Sequence, residues 1–263
     1  MDFLKPGGPG ATLPAPMPHS PFFWSLALGT VAAAANVLGG LVVSVRKHWN
    51  ESFLKASIAL GAGFMLAAAF LRMVPESIAL SPRAPFLIVA GYFLVHFFEH
   101  TAAPHFHFGE EVHGDIMMNP AVGISALVGL ATHTFFDGVS IASGFILSMH
   151  LGILLFFAVV LHKVPEGFTV ASIALVSGRG KKAALLSAVI LAVATLAGVL
   201  CTHIVAGAVS YALPVSTGVT LYVAASDLIP RVNEERGIRM ALLVFLGVAL
   251  FALTASLLES LGF

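Results

Sequence analysis

The stretch "LGILLFFAVVLHKVPEGFTVASIALV", Leu151–Val176, decides how the chain is read. It is long and apolar enough to cross a bilayer, which takes about 20 such residues. Yet it holds His162, Lys163 and Glu166 close together around Pro165. An ionised group at mid-bilayer costs several kcal/mol unless it is paired or lines a wet cavity. A helix that keeps this set needs partners for it.

The rest of the chain has the same character. Of 263 residues, 58% are hydrophobic and only 10% are charged, and the mean hydropathy is +0.97. A soluble domain is about a quarter charged, so this composition indicates a multi-pass membrane protein lying in a lipid bilayer. The formal net charge is zero, which gives no footing for nucleic-acid binding. The single cysteine, Cys201 in "LAGVLCTHIV", rules out an intrachain disulfide and reads as a packing residue. Residues 1–21, rich in Pro and Gly, read as a flexible tail without the basic and small-residue marks of a signal peptide.

Eight helices are expected, near Phe22–Val45, Ala56–Pro75, Phe86–Ala103, Pro120–Leu147, Leu151–Val176, Ala183–Val205, Tyr211–Ile229 and Met240–Leu261. The expected fold is therefore an all-α bundle of eight transmembrane helices in one domain, residues 22–263. Basic residues concentrate in cytoplasmic loops. With both termini extracytoplasmic, the inner loops carry Arg46, Lys47, Lys55, Arg179, Lys181, Lys182, Arg231, Arg236 and Arg239. The outer side then carries Lys5, Arg72 and Arg83. A seven-helix count would put the carboxy-terminal loops on the wrong side.

The third loop, residues 100–118, has no Lys or Arg but holds His100, His105, His107 and His113 with Glu110, Glu111 and Asp115. It lacks the spacing of a folded zinc site. It reads either as a plain polar connector or as a flexible metal-collecting loop.

The partners of the opening stretch lie in the fourth helix, "ATHTFFDGVSIASG". His133 and Asp137 are four apart there, as His162 and Glu166 are in the fifth, so each helix projects one imidazole and one carboxylate from one face. Ser140 and Thr169 extend these faces into polar stripes. Two such pairs give an N/O donor set suited to a divalent transition metal, since Mg²⁺ and Ca²⁺ prefer oxygen alone. The candidate metal ligands are thus His133, Asp137, His162 and Glu166. Pro165 removes the hydrogen bond to the Leu161 carbonyl, and irregular backbone at this depth is tolerated where it lines a cavity. Gly138 and Gly167 each follow a carboxylate and permit close helix approach.

These motifs resemble those of the ZIP family of divalent-metal transporters. "HTFFDG" is similar to that family's fourth-helix pattern HNxxDG, and "HKVPEG" to its fifth-helix pattern HEIPEG. The segments "GAGFMLAAAFLRMVPES", "GYFLVHFFEH" and "LYVAASDLIP" also look like ZIP segments. The resemblance implies metal movement toward the cytosol, Zn²⁺ first and Fe²⁺, Mn²⁺, Co²⁺ or Cd²⁺ as further candidates. It also implies a homodimer in a plasma membrane such as a bacterial inner membrane, alternating access by helix groups sliding past each other, and no resident cofactor.

Two positions depart from the family pattern. Where many members use Asn and a second Glu to hold a second metal, this chain has Thr134 and Lys163. Threonine is a poor ligand and an ammonium cannot bind metal, so one metal is expected. Lys163 either pairs with Glu166 or Asp137 as a structural counter-ion, or stands in permanently for the second cation.

Weaker signals are His96 and His100 with Glu99 as an exit relay or a polar helix end, and His203 and Asp227 as pathway residues. Glu76 is either an intake residue or merely interfacial. The alternatives to a transporter are a metal-binding membrane sensor and an intramembrane metalloenzyme. Against the enzyme, no H-E-x-x-H is present. The Glu-x-x-His at Glu110–His113 falls in a polar loop, and "DGVSIAS" lacks the arginine of a lipid phosphotransferase motif.

Overall fold

A computed structural model describes residues 20–45, 51–102, 120–235 and 237–262. The structure is helical, with no strand among the described residues. The helices are α1 (Pro21–Val45), α2 (Glu51–Ala68), α3 (Val74–Leu80), α4 (Ala84–Ala102) and α5 (Pro120–Leu147). They continue with α6 (Met149–Val176), α7 (Gly180–Ile204), α8 (Val209–Tyr222), α9 (Ile229–Asn233) and α10 (Ile238–Ser260).

Two short π-helical segments, Ala69–Met73 and Val223–Leu228, weld α2 to α3 and α8 to α9. Among the described residues eight rods result, as the sequence implies. Seven are long and apolar enough to cross a membrane, and Ala84–Glu99 is a shorter apolar helix. Two rods run past their expected ends at Pro75 and Ile229. In both, proline follows a π segment and enters the first turn of the next helix, where its missing N–H is tolerated. The proline therefore continues the rod. Outward-facing Phe86, Phe93, Phe97, Phe245 and Leu253 are exposed, as expected of a surface solvated by lipid. Cys201 corrects the packing expectation: it is exposed on α7, in a groove beside Phe135, Val205 and Tyr211.

The rods sort into two groups of four. In the first, α1 packs on α6 and α7, and α5 packs on α7 and α6; in the second, α4 packs on α8 and α2 on α10. Small residues let backbones meet inside each group. A Cβ at Gly138 would collide with the Thr195 carbonyl, and one at Gly198 with the Phe135 carbonyl, locking α5 to α7. Gly39 and Gly167 lock α1 to α6 in the same reciprocal way, Gly63 and Gly247 lock α2 to α10, and Gly91 and Gly218 lock α4 to α8. Side chains make up the boundary between the groups. Leu151, Leu154, Leu155 and Ala158 of α6 share one apolar cluster with Ile58, Met65, Leu213 and Val219 of the second group.

Candidate metal centre

The centre lies midway along α5 and α6, both in the first group. The helical repeat brings His133, Thr134 and Asp137 of α5 against His162, Lys163 and Glu166 of α6, and all six are buried. His133, Asp137, His162 and Glu166 each present one donor atom, and these four atoms lie within 4.8 Å of one another. Tetrahedral ligands at 2.0–2.1 Å from a metal sit about 3.3 Å apart, so modest side-chain contraction would close the set around an ion.

The imidazoles are oriented for this. His162 Nδ1 lies 3.0 Å from the Ala158 carbonyl. A carbonyl only accepts, so the neutral ring carries its proton on Nδ1 and leaves a lone pair on Nε2. That Nε2 faces Asp137 Oδ2 at 3.3 Å, which sets two electron-pair donors side by side. Backbone support of this kind fixes a ligand histidine's tautomer and ring angle. His133 Nε2 lies 3.2 Å from Glu166 Oε1, yet it is buried without a hydrogen-bond partner. Those two atoms are close neighbours without the alignment of a hydrogen bond.

Lys163, 0% exposed, stands against both carboxylates. Its ammonium donates to Asp137 Oδ2 at 2.7 Å, Glu166 Oε2 at 2.6 Å and Thr134 Oγ1 at 3.2 Å. All three of its donors are thus engaged. Thr134 Oγ1 donates in turn to Glu166 Oε1. Glu166 therefore turns Oε2 to the lysine and Oε1 to Thr134 and His133. The hydroxyl and the ammonium occupy each other and both carboxylates.

A narrow cavity of about 20 Å³ opens beside the cluster, lined by His133, His162, Pro165, Glu166 and Thr169 of the first group. The second group contributes Ile58, Val223, Asp227, Leu228 and Arg231. That is room for one or two waters. Gly61 of α2 lies against the Leu161–His162 backbone, beside the carbonyl that Pro165 leaves without its helical donor.

The remaining sequence candidates fall in different places. Asp227 and Thr169 line the cavity, whereas Ser140 is buried on α5 without a hydrogen-bond partner. His203 packs edge-on against Phe22, two turns past Thr195, which meets the centre's helix at Gly138. His96 meets Tyr222 edge-on, and Tyr222 donates to buried Glu99 at 2.8 Å. Glu76 is half-buried in α3. The side chain of His100 and all of His105, His107, Glu110, Glu111, His113 and Asp115 lie outside the described residues. Arg231, counted from sequence as a loop charge, is a cavity residue instead. The signal for this was its spacing of four from Asp227.

Comparison with known proteins agrees with this geometry. The sequence model described as ZIP Zinc transporter matches residues 103–255, more than half of the chain. Zinc transporter zipt-7.2 of Caenorhabditis elegans is 30% identical over 126 residues, covering 44% of this chain and 27% of that protein. Zinc transporter SLC39A7 of Mus musculus is 31% identical over 152 residues, covering 51% of this chain and 32% of that protein. The Homo sapiens SLC39A7 is 31% identical over 139 residues, covering 48% and 30% respectively. The aligned part of this chain thus spans about a third or less of these relatives. The names and the family description are those of transporters, not enzymes. With the motif-bearing helices inside the matched region, the chain belongs to the ZIP zinc transporter family.

Proposed function

We propose that the chain carries a divalent transition metal, Zn²⁺ first, across a plasma membrane toward the cytosol, through one metal site per chain. Its ligands are His133, Asp137, His162 and Glu166. The observation that carries this reading is the convergence of four buried N and O donors from two helices within 4.8 Å. Mixed imidazole and carboxylate donors suit Zn²⁺ and its first-row neighbours, and the matched relatives bear the name zinc transporter.

In this reading Lys163 takes the place of a second metal ion. It stays bound to Glu166 Oε2 and shares Asp137 Oδ2 with the ion, which enters between that oxygen, Oε1 of Glu166 and the two Nε2 atoms. All four ligands belong to one helix group, and the cavity beside them lies between the groups. That division supports alternating access in which the first group carries the ion past the second. Orientation with both termini outside follows the distribution of Lys and Arg, and the family resemblance supports a homodimer, residues 22–263 as the transporting domain and residues 100–118 as a His-bearing loop.

Uptake of radiolabelled Zn²⁺ into proteoliposomes tests the proposal. The parent chain should accumulate metal, and His162→Ala should reduce uptake to the level of protein-free vesicles. Binding of Zn²⁺ by the parent with no flux would overturn transport in favour of a sensor.

A further inference from the structure

The cavity beside the candidate metal centre is lined in part by a polar contact between the two helix groups. Thr169 of α6 and Arg231 of α9 meet there, Arg231 Nη1 donating to Thr169 Oγ1 at 3.5 Å. Thr169 Oγ1 also donates to the Pro165 carbonyl at 2.9 Å, which anchors the hydroxyl to the backbone of the ligand-bearing helix. Both residues line the cavity together with His133, His162 and Glu166.

Several other side-chain bonds between helices stay within one group. Lys55–Glu235, Arg72–Glu259, Ser77–Thr217, Tyr92–Ser226 and Tyr222–Glu99 each tie together parts of the second group. Arg231–Thr169 joins one group to the other. A bond across a sliding boundary has to break when the groups move. At 3.5 Å it is at the long limit of hydrogen bonding, so breaking it costs no more than the weak end of a charged hydrogen bond. The guanidinium also bears a permanent positive charge in the path of a departing cation. Asp227, four residues earlier and lining the same cavity, would meet the ion first and Arg231 second.

We propose that Arg231 is the gate of the metal path at this end. Its guanidinium, latched to Thr169, closes the cavity beneath the metal centre, and the ion leaves after the latch swings aside. This rests on the transport reading above, and the test separates the two.

The test uses the full chain with Cys201→Ser and Ile58→Cys. Ile58 lines the cavity and is 2% exposed, so a water-soluble thiol reagent reaches position 58 when the cavity opens. Arg231→Met keeps length and apolar packing while removing charge and donor. Modification should then accelerate about tenfold, the scale of one lost charged hydrogen bond. Arg231→Lys should stay close to the parent rate, and the metal content of Arg231→Met should remain one ion per chain. Equal rates in parent and Arg231→Met, or equal acceleration by Lys and Met, would overturn the latch. Absence of Zn²⁺ binding by the parent would overturn the transport reading instead, and the modification rates would still decide the latch.

Discussion

Replacing Lys163 with methionine keeps the length and apolar stem of the side chain and deletes its ammonium. Two ion pairs disappear, at 2.7 Å to Asp137 and 2.6 Å to Glu166. Each carries about 6 kcal/mol of Coulomb attraction at an effective dielectric of 20, set against several kcal/mol of desolvation per ion. Removing one partner of a buried pair costs about 3–5 kcal/mol, because the remaining charge loses its counter-ion. Here that penalty falls on the metal-free form, and a bound divalent ion removes it. Metal affinity should therefore rise by the same 3–5 kcal/mol, about two to three and a half decades. Tighter holding slows release, so kcat and KM should fall together. Chelator competition gives the dissociation constant, and proteoliposome flux gives kcat and KM. Metal–metal exchange should suffer less than net uptake, because exchange never moves the two carboxylates uncompensated. An unchanged or weakened affinity with kcat intact would refute the reasoning.

Two further substitutions test other parts of the account. Lys163→Glu restores an oxygen donor beside Thr134 and Asp137, and metal analysis of the purified variant should rise from one ion per chain to two; one ion would defeat the substituted-second-site idea. Gly138→Leu drives a side chain into the Thr195 carbonyl, and overpacking of this kind costs about 1–3 kcal/mol or more. Its melting temperature in detergent should drop, while Gly207→Ala, with open space around it, should leave melting unchanged.

The cluster of His133, Asp137, His162 and Glu166 was legible in the sequence because helix periodicity puts each pair on one face. Residues four apart share a face, so His133 with Asp137 and His162 with Glu166 announce themselves once both helices are recognised. Lys163 was legible as an anomaly, but not as a bridge to both carboxylates, since sequence does not say how α5 and α6 face each other. The division into two helix groups was not legible at the level of particular pairs. Gly63 and Gly247, or Gly91 and Gly218, are far apart in the chain, and nothing local says which glycines meet. Cys201 was misread for a related reason: apolar flanks look alike whether they face protein or lipid. Arg231 was missed because Ile229 was taken as a helix end. The π segment Val223–Leu228 lets Pro230 begin a new turn, which carries the arginine back against the first group.

In the proposed transport cycle, Lys163 also bears on the energetics of both legs. With both imidazoles neutral, Asp137, Glu166 and Lys163 sum to −1 without metal and +1 with a divalent ion. A centre with the same carboxylates and no lysine would alternate between −2 and 0. The cost of moving charge through a low-dielectric boundary grows as its square. The lysine-free centre would therefore load cheaply but return metal-free at about four times the cost of a unit charge. With the lysine, both legs carry the same magnitude of charge past Ile58, Met65, Leu213 and Val219 of the second group. The ammonium weakens the grip on the ion, which opposes capture. In exchange it makes the return of the metal-free group no harder than its loaded passage, and turnover depends on the slower of the two legs.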